Sequence, residues 1–266
     1  MSNIEFIKLN KNVSEEENNT NEEKNTGEEK NTGEEKNTNE EKYGDDEMFE
    51  PWADVNIFFP IATKLVEPLH DIGMTPNMVT ITSTIFTFMS IYFLHHDKRQ
   101  HAFLAYIFGY ILDCVDGRMA RKYSMGSDIG MALDCVSDNI SNAVLFGYIL
   151  LNRQYNKKTI GSLGALALLS YMLSLSYGLN EAVASFETTG NDNFYDKRIN
   201  QLKDKENCLE KPLYSMFLLI TKTSYETYRM HFPTYDREKI NKKLKILKHF
   251  GPGNYCLFVG IMLLYI

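Results

Sequence analysis

Seventeen consecutive residues, 78–94 (MVTITSTIFTFMSIYFL), carry no charged side chain. That is the short end of a bilayer-spanning helix, and Thr75-Pro76-Asn77 supplies the break before it. Further apolar stretches follow. Residues 102–112 are apolar and run on into charged sequence, and 129–151 are apolar apart from Asp134, Asp138, two Asn and small polar residues. Residues 160–179 are small and apolar, 213–220 are apolar but short, and 255–266 are apolar to the last residue. In lipid every backbone polar group must be satisfied within the segment, so such runs are helices. Four clear helices and two weaker ones, near 213–231 and 250–266, give the expectation of an all-α integral membrane protein with about six transmembrane helices.

Ahead of these, Phe58, Ile61, Ala62, Leu65, Val66 and Leu69 recur at three- and four-residue steps, one apolar helical face. With Trp52 at its start, this reads as an amphipathic helix lying in the membrane interface. Residues 1–50 hold sixteen Asp/Glu against six Lys, and the remaining chain nineteen against twenty-two Lys/Arg, so the overall charge of −7 is set by the tail. A unit Asn-Thr-Gly-Glu-Glu-Lys repeats over residues 25–36. It has nothing to bury, so ordering it would cost entropy without return. The expected organisation is therefore a disordered acidic tail, 1–47, and a membrane-embedded domain, 48–266. The charge balance argues against a nucleic-acid partner, and four Cys make no disulfide framework. Residues 181–211 read as a loop or surface helix and 236–248 as a basic loop of the kind that faces anionic headgroups. Residues 152–158 are basic as well, so Lys/Arg counts do not settle the topology.

The informative stretch is 112–140 (LDCVDGRMARKYSMGSDIGMALDCVSDNI). Asp113 and Asp116 are three apart, and Asp134 and Asp138 four apart, so each pair shares one helical face. Two helices in a hairpin can direct four carboxylates into one space. Acids within spans are costly and usually functional. Crowded carboxylates repel, and hard divalent cations such as Mg²⁺ or Mn²⁺ resolve that repulsion. Two such ions would form a phosphoryl-transfer clamp. Gly117 leaves room for a ligand against the backbone, Arg121 can pair with phosphate oxygens, and Gly130 permits close helix packing. Asp128 reads as a helix-start residue off the carboxylate face. Cys114 and Cys135 read as packing residues. An ion or proton transporter would also use intramembrane acids, and it stays open as an alternative on these residues alone.

Asp113-x2-Asp116-Gly117-x2-Ala120-Arg121-x8-Gly130-x3-Asp134-x3-Asp138 resembles the full signature of the CDP-alcohol phosphotransferases. Pro76-Asn77-x2-Thr80 is similar to the motif that opens the first membrane helix in that family. The resemblance covers about residues 52–266. It implies a six-helix membrane fold preceded by a short amphipathic helix, with a two-metal site at the cytosolic side. It implies Asp113, Asp116, Asp134 and Asp138 as ligands of two Mg²⁺ or Mn²⁺ ions, with Asp138 also the proton acceptor. Gly117, Arg121 and Ser127 would sit against the CDP moiety, and Asn77 and Thr80 would line the nucleotide pocket. The implied reaction transfers a phosphatidyl group from a CDP-linked donor, CDP-diacylglycerol on the short-branch reading, to an alcohol with release of CMP.

The run 126–134 is similar in pattern to phosphatidylinositol synthases. Two departures stand out: Asn139 where those enzymes commonly carry Arg, and Ser83 and Thr84 where they carry Arg in the first helix. Both disfavour a phosphorylated acceptor. The alternative branch transfers from CDP-choline or CDP-ethanolamine to diacylglycerol, and a third reading is a degenerate scaffold, against which the complete signature argues. The expected partners are a CDP-linked lipid donor, an alcohol acceptor and membrane lipids, with a homodimer possible. The expected location is a multi-pass membrane setting, the endoplasmic reticulum if the source is eukaryotic.

Overall fold

The chain divides into two units, Met1–Asn37 and Thr38–Ile266. The structure, a computed structural model, describes residues 49–152, 157–188, 210–231 and 237–266. The expected tail, 1–47, lies outside the described residues, as does 189–209, the greater part of the polar segment 181–211.

Every element among the described residues is helical. A π-helical turn, Asp54–Phe58, leads into α1 (Phe59–Asp71). It is followed by α2 (Pro76–His95), α3 (Arg99–Lys122), α4 (Asp128–Leu151), α5 (Lys157–Thr188), α6 (Glu210–His231) and α7 (Arg237–Leu247). A 3₁₀ turn, Lys248–Phe250, precedes α8 (Pro252–Tyr265). Two readings change. The helix expected over 160–179 runs on through 181–188, so the start of the polar segment is helix. The basic stretch expected as a loop is α7, because Ile240 and Leu244, four apart, bury against Tyr177 of α5 while the lysines point away.

The polarity of α2 is inverted relative to a helix in water. Its buried face carries Thr80, Ser83, Thr87 and Ser90 between Val79 and Leu94, and its exposed face Ile81, Ile85, Phe88, Met89 and Tyr92. The small inward hydroxyls let α2 and α3 pack along their length, the most extensive helix pairing among the described residues. Two of these hydroxyls bond within their own turn: Ser90 Oγ donates to the Thr87 carbonyl at 2.7 Å and Thr87 Oγ1 to the Ser83 carbonyl at 3.4 Å. On α5, Leu166, Leu168, Leu169 and Met172 are exposed likewise. Among the described residues, Pro76–His95 is the helix long and apolar enough by composition to cross a membrane.

The largest core joins α2, α3, α4, α5 and α8 through Leu94, Tyr106, Leu145, Ile149, Val259 and Leu263. A second joins α1, α2 and α3 through Val66, Val79, Leu112, Val115 and Met119. Cys114 packs beside this cluster and Cys135 packs between α4 and α6, both as expected of small apolar residues.

Asp54 fastens the first elements to the last. Buried at 2% exposure, its carboxylate accepts from the Gly253 N–H at 3.0 Å and from the Tyr110 hydroxyl at 2.9 Å. Gly253 is in the first turn of α8, where backbone N–H groups lack partners. A Cβ at position 253 would overlap the Asp54 carboxylate, so only glycine fits. In return, Asn254 Oδ1 accepts from the Ala53 N–H at 2.9 Å. Asp54→Ala leaves two buried donors unmatched, at about 1–3 kcal/mol each. We expect a clear loss of thermal stability in detergent, smaller for Asp54→Asn, which keeps one acceptor. An unchanged melting temperature for Asp54→Ala would show that the latch contributes nothing.

Candidate active site

The site forms where α3 turns back into α4. Ser124, at φ 53°, lies in the left-handed region, and the Met125 N–H donates to the Ala120 carbonyl at 2.9 Å, closing the helix. Ser127 Oγ then accepts from the Gly130 N–H at 3.0 Å and caps α4. Asp116 lies six residues before the end of α3, and Asp134 six after the start of α4. At 1.5 Å per residue both are about 9 Å from the turn, and Asp113 and Asp138 lie about one helical turn deeper.

Although consecutive, α3 and α4 barely touch; each packs on α2 instead. The first turn of α2 is thus a wedge that holds the hairpin open. A Cβ on Gly130 would stand 2.6 Å from Asn77 Oδ1, so α4 meets α2 only because residue 130 is glycine. Into the gap project Asp113, Asp116 and Asp134, one carboxylate oxygen of each within 4.8 Å of the others. Thr80 of α2 donates to Asp116 Oδ2 at 2.6 Å. Asp113 Oδ1 is buried with no hydrogen-bond partner among the described residues. A buried acceptor left in that state is expensive, and a cation would satisfy it. Three clustered acids offering only oxygen suit a hard divalent ion, so the residues fit such a metal.

Two cavities adjoin the carboxylates. The first, about 410 Å³, is lined by Asn77, Thr80, Asp116, Gly117, Arg121 and Asp134, with Ser127 at its edge. Every residue assigned from sequence to the nucleotide therefore faces one space. The Arg121 guanidinium lies over Gly117, 3.4 Å from where a Cβ would stand. Asp128 begins α4 as expected, and it also borders this cavity, which its sequence position did not reveal. The second cavity, about 320 Å³, is deeper and takes in Asp113 and Asp138. Asp138 is thus apart from the cluster of three and faces the inner space.

Sequence reasoning missed the residues of this inner cavity. Tyr106 and Tyr110 precede Asp113 by seven and three residues, on its helical face, a signal that was present. Asn142 follows Asp138 by one turn, its amide donating to the Asp138 carbonyl at 2.8 Å. Tyr171 comes from α5 and donates to Asn139 Oδ1 at 2.7 Å, and nothing local announces it. Of the two departures noted above, Ser83 and Asn139 open onto the inner cavity, and Thr84 instead donates to the Thr80 carbonyl at 2.9 Å.

Cations collect at the shallow end. Arg118 stacks on Phe59 at 4.2 Å, and Lys122 donates to Glu67 at 2.8 Å. That hydrogen bond, with the lysine's charge, holds the Glu67 carboxyl below its usual range. Both contacts pin α1 beside the site.

Residues 73–184, which include this whole carboxylate hairpin, match the family model described as CDP-alcohol phosphatidyltransferase. Over that span the chain is similar to CDP-alcohol phosphatidyltransferase domains. Such domains transfer substituted phosphate groups. The chain is 32% identical over 88 residues to an archaetidylinositol phosphate synthase of Pyrococcus horikoshii, covering 33% of this chain and 47% of that one. It is 30% identical over 97 residues to a phosphatidylinositol phosphate synthase of Mycobacterium tuberculosis, covering 36% and 45%. It is 31% identical over 80 residues to a CDP-diacylglycerol–inositol 3-phosphatidyltransferase of Saccharomyces cerevisiae, covering 30% and 36%. The chain thus spans less than half the length of each of these relatives. No solved structure matches it. The family implies a CDP-alcohol donor and an alcohol acceptor as the substrates of a CDP-alcohol phosphatidyltransferase domain.

Proposed function

We propose that this protein transfers a phosphatidyl group from CDP-diacylglycerol to an alcohol hydroxyl, releasing CMP, within a multi-pass membrane domain of about six helices, 48–266. One observation carries the reading: the clustered carboxylates and the five neutral or cationic residues assigned to the nucleotide share one gap held open by α2. The inverted polarity of α2 and the exposed leucines of α5 support placement in lipid, where outward apolar side chains have a solvent. The cationic end of α3, with Arg118, Arg121 and Lys122, supports a site at the cytosolic face, in the endoplasmic reticulum if the source is eukaryotic.

Asp113, Asp116, Asp134 and Asp138 would hold two divalent ions, Mg²⁺ or Mn²⁺. When bound, these supply positive charge against the pyrophosphate and the developing charge on CMP. Arg121 pairs with the phosphate oxygens as a planar, permanently charged donor. Gly117 lets the phosphates approach the backbone, and Asn77, Thr80 and Ser127 contact the nucleotide. Thr80 also fixes the Asp116 rotamer through its 2.6 Å hydrogen bond. Asp138 accepts the proton of the attacking hydroxyl. Phosphorus exchanges its bond to the CMP oxygen for one to the alcohol oxygen, and the alcohol proton passes to Asp138.

The test is CMP release from CDP-diacylglycerol by the purified, membrane-inserted protein with Mg²⁺ across a panel of alcohols. Release that depends on an added alcohol is expected. Its absence with every alcohol, alongside pH- or ion-gradient-driven flux in vesicles, would favour a transporter instead. Residues 1–47 have no apolar face and no site residue. Their deletion should therefore leave specific activity within about twofold. A large loss in the truncated, properly inserted protein would contradict that.

A further inference from the structure

The inner cavity has a chemistry of its own. Its walls carry the hydroxyls of Ser83, Thr87, Tyr106 and Tyr171 and the amides of Asn139 and Asn142, from α2, α3, α4 and α5. No Lys, Arg or His is among its lining residues. Its charged members are Asp113 and Asp138, both carboxylates. From these walls we propose that the inner cavity is the acceptor site and that its acceptor is a small, uncharged polyhydroxy alcohol. This rests on the transfer reaction proposed above.

Three observations lead there. Asp138, the carboxylate apart from the cluster of three, faces this cavity and not the outer one, so an alcohol bound here presents a hydroxyl to it. The lining is organised for hydrogen bonding: Tyr106 and Tyr255 hydroxyls both reach Asn142 Oδ1, at 3.3 and 3.5 Å, and Tyr171 reaches Asn139. A ligand with several hydroxyls can match such walls, whereas a diacylglycerol, with one, would leave them unmatched. The volume, about 320 Å³, is that of about ten waters, room for a compact polyol. A phosphate or carboxylate on the acceptor would find no basic side chain among the lining residues, and the charge of two divalent ions is already matched by the four carboxylates that would hold them. Charged groups in a site of low polarity require a partner. The cations nearby, Arg118, Arg121 and Lys122, are on the opposite side of the carboxylates, toward the outer opening.

The experiment compares acceptors in the CMP-release assay with CDP-diacylglycerol and Mg²⁺: inositol and glycerol, their monophosphates, serine, ethanolamine, and diacylglycerol supplied with CDP-choline. We expect one of the uncharged polyols to exceed its own phosphate ester by at least about 100-fold in kcat/KM. Preference for a phosphate ester, serine, ethanolamine or diacylglycerol overturns this inference and leaves the transfer reaction standing. Release with no alcohol at all overturns both. Tyr106→Phe and Tyr171→Phe each remove one hydroxyl without changing shape. Each should raise the KM for the polyol about 3- to 10-fold, the worth of one hydrogen bond, with the KM for CDP-diacylglycerol unchanged. Equal shifts in both KM values, or in neither, would place the alcohol elsewhere.

Discussion

Asp138→Asn is expected to lower turnover by about 10²–10⁴-fold, the range for loss of a positioned general base. The substitution keeps the size of the side chain and one acceptor oxygen, and it removes the basic oxygen and a negative charge. CDP-lipid affinity should fall far less, because the outer cavity retains Asp116, Asp134, Arg121 and Gly117, and Asp138 does not border it. That difference between turnover and affinity separates a base from a residue that merely shapes the nucleotide site. Asp71→Asn is the matched control. It lies at the end of α1 with its side chain 78% exposed, 3.8 Å from His70, and it should alter neither quantity. Comparable turnover in the two variants would remove Asp138 from the mechanism.

Chelation should have the largest effect of all. In excess EDTA, CMP release should drop to background, and Mg²⁺ or Mn²⁺ should restore it. Asp113, Asp116 and Asp134 crowd their oxygens within 4.8 Å, and without compensating charge they would repel a pyrophosphate as they repel one another. Zn²⁺ should restore little, since it prefers nitrogen and sulfur donors in tetrahedral sites. Asp113→Ala offers an activity-independent check. It removes a buried carboxylate oxygen that has no hydrogen-bond partner among the described residues, so thermal stabilisation of the detergent-solubilised protein by Mg²⁺ should shrink. Full turnover in excess chelator would end the two-metal reading.

Much of this was legible in the chain itself. The uncharged run of α2, the three- and four-residue spacing of the acids, and Gly117, Arg121 and Gly130 at fixed distances from them are local properties. Helical periodicity converts them directly into faces and depths. The weaker helices near 213–231 and 250–266 are only hinted at by composition, and their bounds, Glu210–His231 and Pro252–Tyr265, come from the structure. Less legible were elements decided by contact. The basic segment 236–248 reads as a solvated loop until Tyr177 is found against Ile240 and Leu244. Asp54 sits in an unremarkable stretch before α1, and its burial follows from α8, about 200 residues later in the chain, bringing an unpaired N–H to it.

Sequence by itself determined which side chains can meet within a helix: two acids on α3, two on α4, and the residues that flank them. Tertiary structure alone decided that α2 stands between those helices, so that the hairpin gapes where its closure would have been expected. It therefore separated Asp138 from the other three carboxylates and created two cavities with different linings, one with Arg121 and one with tyrosines and amides. The reason is physical. Spacing along one helix is fixed by backbone geometry, but the space between helices depends on which side chains are small enough to let backbones approach. That is a property of pairs of residues, such as Gly130 and Asn77, far apart in the chain.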